Sequence, residues 1–265
     1  MVALTVAYRR QRDSEIAEHR EDTRLFTDRF GHAADQLGSA QAAVRVAGVY
    51  AMAELADDWN EGRQMCIDVL CAYLRMPYDP DQHREGDREV RRTTVRVIRN
   101  HLRPGWSAVS WSTNRFSFEG AVFDCGDLSG ARFLAPGSVS FHAATFASGS
   151  FEFNRVVFAA PTWFTRVRFA GAKIGFNEVQ FATDEIQFDD AIFSAGIVDF
   201  RHARVPSGQI TFAEVTVLPT AAVEWGPFLP IPTSPEAAAA TSHSQSRGVR
   251  LPSPRRSRRQ RRNAR

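Results

Sequence analysis

The sequence predicts an α+β protein with its two classes of structure in separate domains: a small N-terminal α-helical domain, then a solenoid of short β-walls. Three observations carry this. From Phe116 to Val217 a phenylalanine returns every five and then every seven residues, as one repeated motif. Before that stretch the apolar residues fall at helical spacing. After Val217 prolines accumulate, and from Ala237 on the chain is Ala, Ser and Arg with almost no apolar content. The 265 residues therefore divide into a helical domain over 1–115, a solenoid over 116–218 and a Pro-rich, then Arg-rich, disordered tail over 219–265.

The motif reads FHAATF from Phe141, FNRVVF from Phe153, FTRVRF from Phe164, FNEVQF from Phe176, FDDAIF from Phe188, FRHARV from Phe200 and FAEVTV from Phe212. Its starts lie 12, 11, 12, 12, 12 and 12 residues apart, the mark of an array of one structural unit. Two residues before each first Phe stands an apolar or small residue, for example Ile174 before Phe176, so both side chains point to one side of a strand. A second inward pair follows, Val179 and Phe181, with only Asn177 and Glu178 between as a corner. The gaps ASGS, AAPT, AGAK, SAGI and PSGQ have the composition of turns. One 12-residue unit thus supplies two walls and two corners. Two walls cannot enclose phenylalanines, so two units, 24 residues, are read as one four-walled coil. Phe176 is then expected to stack on Phe200, Phe164 on Phe188, Phe188 on Phe212 and Phe169 on Phe193. The 11-residue step around Pro161 and Trp163 is expected to give the least regular coil.

Upstream, Phe118, Phe123, Leu128 and Phe133 are five apart, with Ala121 and Ala131 two residues ahead of Phe123 and Phe133. The segments AVFDC, GDLSG and ARFLA resemble the pentapeptide-repeat family, whose unit is a small residue, any residue, a central Leu or Phe and two more. The resemblance implies a right-handed, four-sided parallel β-helix with the Ala and Phe positions inside. The later copies depart from the family by inserting two residues at alternate corners, which preserves the inward pattern. The expected core ladder is Phe118, Phe123, Leu128, Phe133, Phe141, Phe146, Phe153, Phe158, Phe164, Phe169, Phe176, Phe181, Phe188, Phe193, Phe200 and Phe212. In such a repeat the phenylalanines are core, not a ligand site.

In the first domain, Ile16, Thr23, Phe26, Phe30, Ala33 and Leu37 mark one face of a helix from about Ser14, ended by Gly38 and Ser39. The run Val2 to Ala7, followed by Tyr8, Arg9, Arg10 and Arg12, is too short to span a bilayer and reads as a frayed helix start. It also reads as the cytoplasmic exit of a transmembrane helix placed upstream. Ala42 to Leu55 is apolar nearly all round, hence buried. Glu61 to Arg75 places Cys66, Val69, Leu70, Tyr73 and Leu74 on one side, and Pro77 and Pro80 end it. Asp87 to Leu102 uses Val90, Thr94, Val97, Ile98 and Leu102. The runs AVRVAGVYAMAELADDW and MCIDVLCAYLRMPY are similar to the helical segment that precedes pentapeptide repeats in many actinobacterial proteins, often behind membrane helices. The resemblance covers residues 8 to about 217 and is nearly silent as to activity.

Chemistry is not expected. Cys66 and Cys71, on one helix but off one face, lack metal spacing, and Cys125 stands alone. His142 and His202 sit at outward corners without a partner set. The adjacent pairs Asp57–Asp58, Asp184–Glu185 and Asp189–Asp190 point apart rather than converging for acid–base work. No catalytic, cofactor-binding or metal residue is assigned, and the chain is read as not an enzyme, without a cofactor. With 43% apolar and 24% charged residues the composition is that of a globular protein. Lys173 is the only lysine, which reads as the coding bias of a GC-rich genome.

Two function classes follow. One is a non-enzymatic scaffold whose outward corners bind a protein partner while the helical domain caps or tethers the rod. The other comes from the resemblance, which implies that some relatives mimic DNA and protect gyrase, a type II topoisomerase. Mimicry needs charge. Four and a quarter coils at a rise of 4.8 Å would make a rod about 20 Å long, a length over which duplex DNA carries about 12 negative charges. Residues 116–218 hold 7 bases against 11 acids, a net of −4 over four walls. The scaffold reading is therefore preferred. Nucleic acid is expected only through the tail PRRSRRQRRNAR, which also reads as a solvated end enriched in Arg by codon chance. The expected location is cytoplasmic, at the inner face of the membrane if an upstream segment exists. The Trp106 to Trp111 segment is expected to cover the first coil, and Trp225 and Phe228 the last.

Overall fold

The computed structural model describes residues 2–82 and 86–229, in which four helices precede a parallel β-solenoid of about five turns. Helix α1 (Val2–Leu37) starts in the opening apolar run and continues unbroken through the predicted face. Gly38 and Ser39 stop it, their amides bonding back to the carbonyls of Ala34 and Gln36. Helix α2 (Ala42–Asp58) folds back along it. Gly48 allows the close approach, since a Cβ there would lie 2.7 Å from the Leu37 amide nitrogen. Ala33 and Leu37 are buried, and Phe26 and Phe30 pack partly against the core. Thr23, expected on this face, is exposed. The reason is length: α2 ends beside Phe26, whose ring stacks on Trp59 at 5.6 Å, and the helix upstream runs past it. Ile16 lies outside the described side chains.

Helices α3 (Arg63–Arg75) and α4 (Asp87–Leu102) bury more than the single stripe their spacing predicts. α3 covers Cys66, Leu70, Tyr73 and Leu74 but also Ile67 and Cys71, while Val69 is only partly covered. α4 covers Val90, Thr94, Val97, Ile98 and Leu102 but also Arg91, Thr93 and Val95. Both helices lie between α2 and the first coil, so each has two faces to satisfy.

The solenoid has four walls. Arg115–Ser117, Ser138–Ser140, Thr162–Trp163, Ile186–Gln187 and Ile210–Thr211 stack as the first. Val122–Phe123 and Thr145–Phe146 begin the second, Gly126–Asp127 and Ser150–Glu152 the third. The longer strands Arg168–Gly175 and Ile192–Asp199 turn the corner and belong to both. Arg132–Leu134, Val157–Ala159 and Gln180–Phe181 form the fourth, continued by a bridge from Gln180 to Arg204. All pairing is parallel. Residues in register lie 24 apart in the later coils, as Ile186 with Ile210 and Phe193 with Val217, and 23 apart at Phe123 with Phe146.

The short step at Pro161 disturbs nothing in the ladders. Thr162 pairs with Val139 on one side and Ile186 on the other, and the rings of Phe141 and Phe164 stack at 4.8 Å and 3°. The missing residue falls in the corner between Ala159 and Thr162, and the pairing of Ala159 with Leu134 and the bond from the Val139 amide to the Pro161 carbonyl are both kept. The register shifts lie instead between Phe169 and Lys173, where a strand bends from the second wall to the third. Gly196 turns the same corner in the next coil, at φ 85°, and a Cβ there would stand 2.3 Å from the Ala172 carbonyl oxygen. The solenoid also runs further than 218. Ala221–Glu224 adds a strand to the third wall, because the prolines around it fall in corners rather than in the strand.

Candidate functional site

The interior offers no site. Every ladder position from Phe118 to Phe212 is buried, none above 7% exposed. Rings one coil apart lie face to face: Phe176 on Phe200 at 4.7 Å, Phe164 on Phe188 at 4.6 Å, Phe188 on Phe212 at 5.0 Å and Phe169 on Phe193 at 4.8 Å. Rings half a coil apart meet edge to face across the lumen, as Phe176 and Phe188 do at 6.0 Å and 78°. Both geometries suit the aromatic quadrupole, so one residue type fills the rod in two directions.

The outward corners are the candidate surface. Gly120, Gly130, Ala143, Arg155, Arg166, Glu178, Asp190, His202 and Glu214 each stand two residues after an inward Phe or Leu, with φ between 53° and 74°. From Gly120 to His202 the amide after each such residue bonds back across the corner, as Ala144 does to the Phe141 carbonyl and Ala191 to that of Phe188. That is a type II turn, which favours glycine at its third position, and a side chain there costs about 1–2 kcal/mol. The strained residues are held by their own amides. Ala143 donates to the Thr165 carbonyl of the next coil, Arg155 to Asn177, Arg166 to Asp189 and Asp190 to Ala213.

Side chains at these corners also bond along the rod. The Asn154 side-chain oxygen accepts from the Asn177 amide at 3.0 Å, and the Asn177 side-chain oxygen lies 3.0 Å from His202 Nδ1. His142 Nδ1 lies 2.7 Å from the Thr165 hydroxyl. Asp189 accepts from the Ala213 amide, while Asp190 faces Arg166 at 3.6 Å, so this acidic pair points apart. Arg201 grips Asp199 at 2.7 Å and, by that hydrogen bond first, holds its carboxyl below the usual carboxylate range.

At the joint with the helical domain, side chains cap the open backbone of the first coil. Gln64 of α3 donates to the Arg115 carbonyl at 2.9 Å and accepts from the Arg115 amide at 3.0 Å. Arg75 donates to the Ser117 carbonyl at 2.7 Å. Arg91 of α4 reaches the Val122 carbonyl at 2.7 Å and also the Tyr73 and Leu74 carbonyls that end α3. Arg99 bonds the Ser129 carbonyl at 3.0 Å and the Asp127 carboxylate at 2.7 Å. The Ser112 backbone carbonyl accepts from the Leu134 amide. An exposed strand edge invites pairing with another chain, and these contacts cover it on the first, second and fourth walls and at the corner after the third.

The Trp106 to Trp111 segment contributes less to this cover than expected. Trp111 is buried, stacked on His101 at 3.8 Å and bonded through Nε1 to Asp57. Trp106 is 60% exposed, under the Arg103 guanidinium at 4.0 Å. Asp57 also lies 3.1 Å from His101, whereas Asp58 points out to Arg29, so this pair too diverges. At the far end Trp225 stacks over Phe200 and Phe228 packs on Phe212 at 5.3 Å.

The cysteines are free. Burial pushes the Cys66 thiol up to about 11 and that of Cys71 to about 12, and raises Cys125 as well, so none is a ready thiolate. Among the described residues no group of three or more His, Cys, Asp or Glu could hold a metal ion. Among the same residues no helix is long and apolar enough to cross a membrane. The Arg-rich end of the tail lies outside the described residues. Comparison with family models, with curated proteins and with solved structures finds no match to this chain.

The residues that sequence reasoning missed are Gln64, Arg75, Arg91 and Arg99. One signal existed: Arg91 falls inside the apolar stripe of α4, between Ile98 and Leu102 around the helix, where a charged side chain has to find partners.

Proposed function

We propose that the chain is a pentapeptide-repeat protein acting as a non-enzymatic scaffold, with a protein partner bound along the outward corners of the rod. The carrying observation is the division of labour in the repeat. Each coil spends its inward positions on the same rings and its corner positions on varied polar side chains, held at fixed spacing by corner amides bonded coil to coil. A rigid, regularly spaced polar edge is suited to docking rather than to turnover. In this reading the helical domain seals one end of the rod and leaves the corners open.

The DNA-mimic reading is less well supported. A net charge of −4 over residues 116–218 is a third of what duplex DNA of that length presents, about 12. The test is an affinity pull-down with the full chain, its 1–115 deletion, and a variant carrying Asn154→Arg and Asn177→Arg. A partner retained by the full chain and lost by the corner variant supports the scaffold. Inhibition of purified gyrase supercoiling by the full chain would instead favour the topoisomerase reading.

A further inference from the structure

The helical domain holds a cleft of about 560 Å³ that the scaffold role does not use, a size typical of small-ligand sites. Its sides are apolar: Ala34 and Leu37 of α1, Val69, Ala72 and Met76 at α3, and Pro77 beyond it. Its floor is charged. Arg45 and Arg91 line it while only 3% and 7% exposed, and Asp87 is the one carboxylate among the described lining residues.

The donors on that floor are unevenly satisfied. Arg45 gives Nη1 to the Ser39 and Ala40 carbonyls and pairs Nη2 with Asp87, but its buried Nε–H meets no acceptor among the described residues. Buried donors nearly always have a partner, so an orphan beside an open cleft marks where an acceptor fits. Arg91 donates only to carbonyls, those of Tyr73, Leu74 and Val122. Asp124, the next acid towards it, is already engaged by Arg88 at 2.9 Å and by the Tyr78 hydroxyl at 2.8 Å. Among the described lining residues two guanidiniums against one carboxylate leave one positive charge over, beneath apolar walls.

We propose that this cleft binds a small monocarboxylate with an apolar body, its carboxylate accepting the Arg45 Nε–H and its body lying against Leu37, Val69, Ala72 and Met76. The head supplies the missing acceptor and the missing negative charge together, and the body covers side chains that α3 leaves open, Met76 being 56% exposed. A neutral ligand would do only the second, and an inorganic anion only the first. Bound there, the ligand would bridge the α1–α2 hairpin and α3, independently of whatever binds the rod.

Isothermal titration of the full chain with octanoate tests this, with 1-octanol as the arm that keeps the body and drops the charge. The expected result is one saturable site for octanoate and at least tenfold weaker binding of the alcohol. Ala72→Phe, which fills the cleft from α3 without removing a polar contact, should weaken octanoate at least tenfold. Arg45→Met should abolish the preference for acid over alcohol. Because Arg45 also holds Asp87, folding of each variant is checked by circular dichroism, and Val69→Phe replaces either variant that does not fold. Equal affinity for acid and alcohol, octanoate binding unchanged by filling the cleft, or no saturable octanoate binding would each overturn the assignment.

Discussion

The two ends of the solenoid expose the same problem and close it with opposite chemistry. At the first coil the edge is met by long polar side chains from α3 and α4, each donor aimed at a named carbonyl. At the last coil Trp225 and Phe228 simply continue the column of rings, packing on Phe200 and Phe212. The difference follows from what lies beyond each end. The first coil abuts a folded domain, where unpaired backbone would be buried and must be hydrogen-bonded. The last described coil has its lumen to cover, and an aromatic plug covers a lumen without directional bonds. The polar end is therefore specific to its partner helices, whereas the apolar end extends the repeat's own logic.

Substitutions can separate these two modes from the interior that joins them. Phe188→Asp is the reference with the largest effect. It sets a charge between Phe164 and Phe212, at 4.6 and 5.0 Å, and an unpaired buried charge costs several kcal/mol, so the cooperative thermal transition should vanish. Arg91→Met comes next. It orphans the Val122 and Leu74 carbonyls at once and should cost about 3 kcal/mol in chemical denaturation. A cost near zero would mean that the joint does not depend on side-chain capping.

Phe228→Ala should cost about 3 kcal/mol, in the range of large-to-small core changes, despite the position of Phe228 at the end of the rod. Hydrogen exchange should show the loss confined to the last coils, and faster exchange in the first coil would contradict a local plug. Gln64→Ala, which removes one neutral capping pair, should cost about 1 kcal/mol by urea midpoint. The smallest effect has the opposite sign. Glu178 is exposed and sits at φ 56°, so Glu178→Gly removes about 1–2 kcal/mol of left-handed strain and gives back about 0.5–1 kcal/mol in unfolded-chain entropy. A melting temperature raised by a few degrees is expected, and a fall would show that the corner relies on its side chain.

How far the fold was legible differs between these same regions. The coil of two 12-residue units, its four walls, the stacks from Phe164 to Phe212 and the aromatic closure at Trp225 and Phe228 all follow from the sequence. A repeat writes its geometry locally: side chains alternate along a strand, and a fixed period sets which rings overlie each other. The helical domain has no such record. Only the tertiary structure decided that α3 and α4 face two neighbours, that Cys71 and Val95 are buried, and that Thr23 is not. The capping pairs join Gln64 to Arg115 and Arg75 to Ser117, 51 and 42 residues apart. The cleft over Arg45 likewise needs three helices and the segment after α3 to meet. Contacts at such separations leave no period to read, because each is made once, by packing, between residues whose local surroundings are those of any exposed arginine.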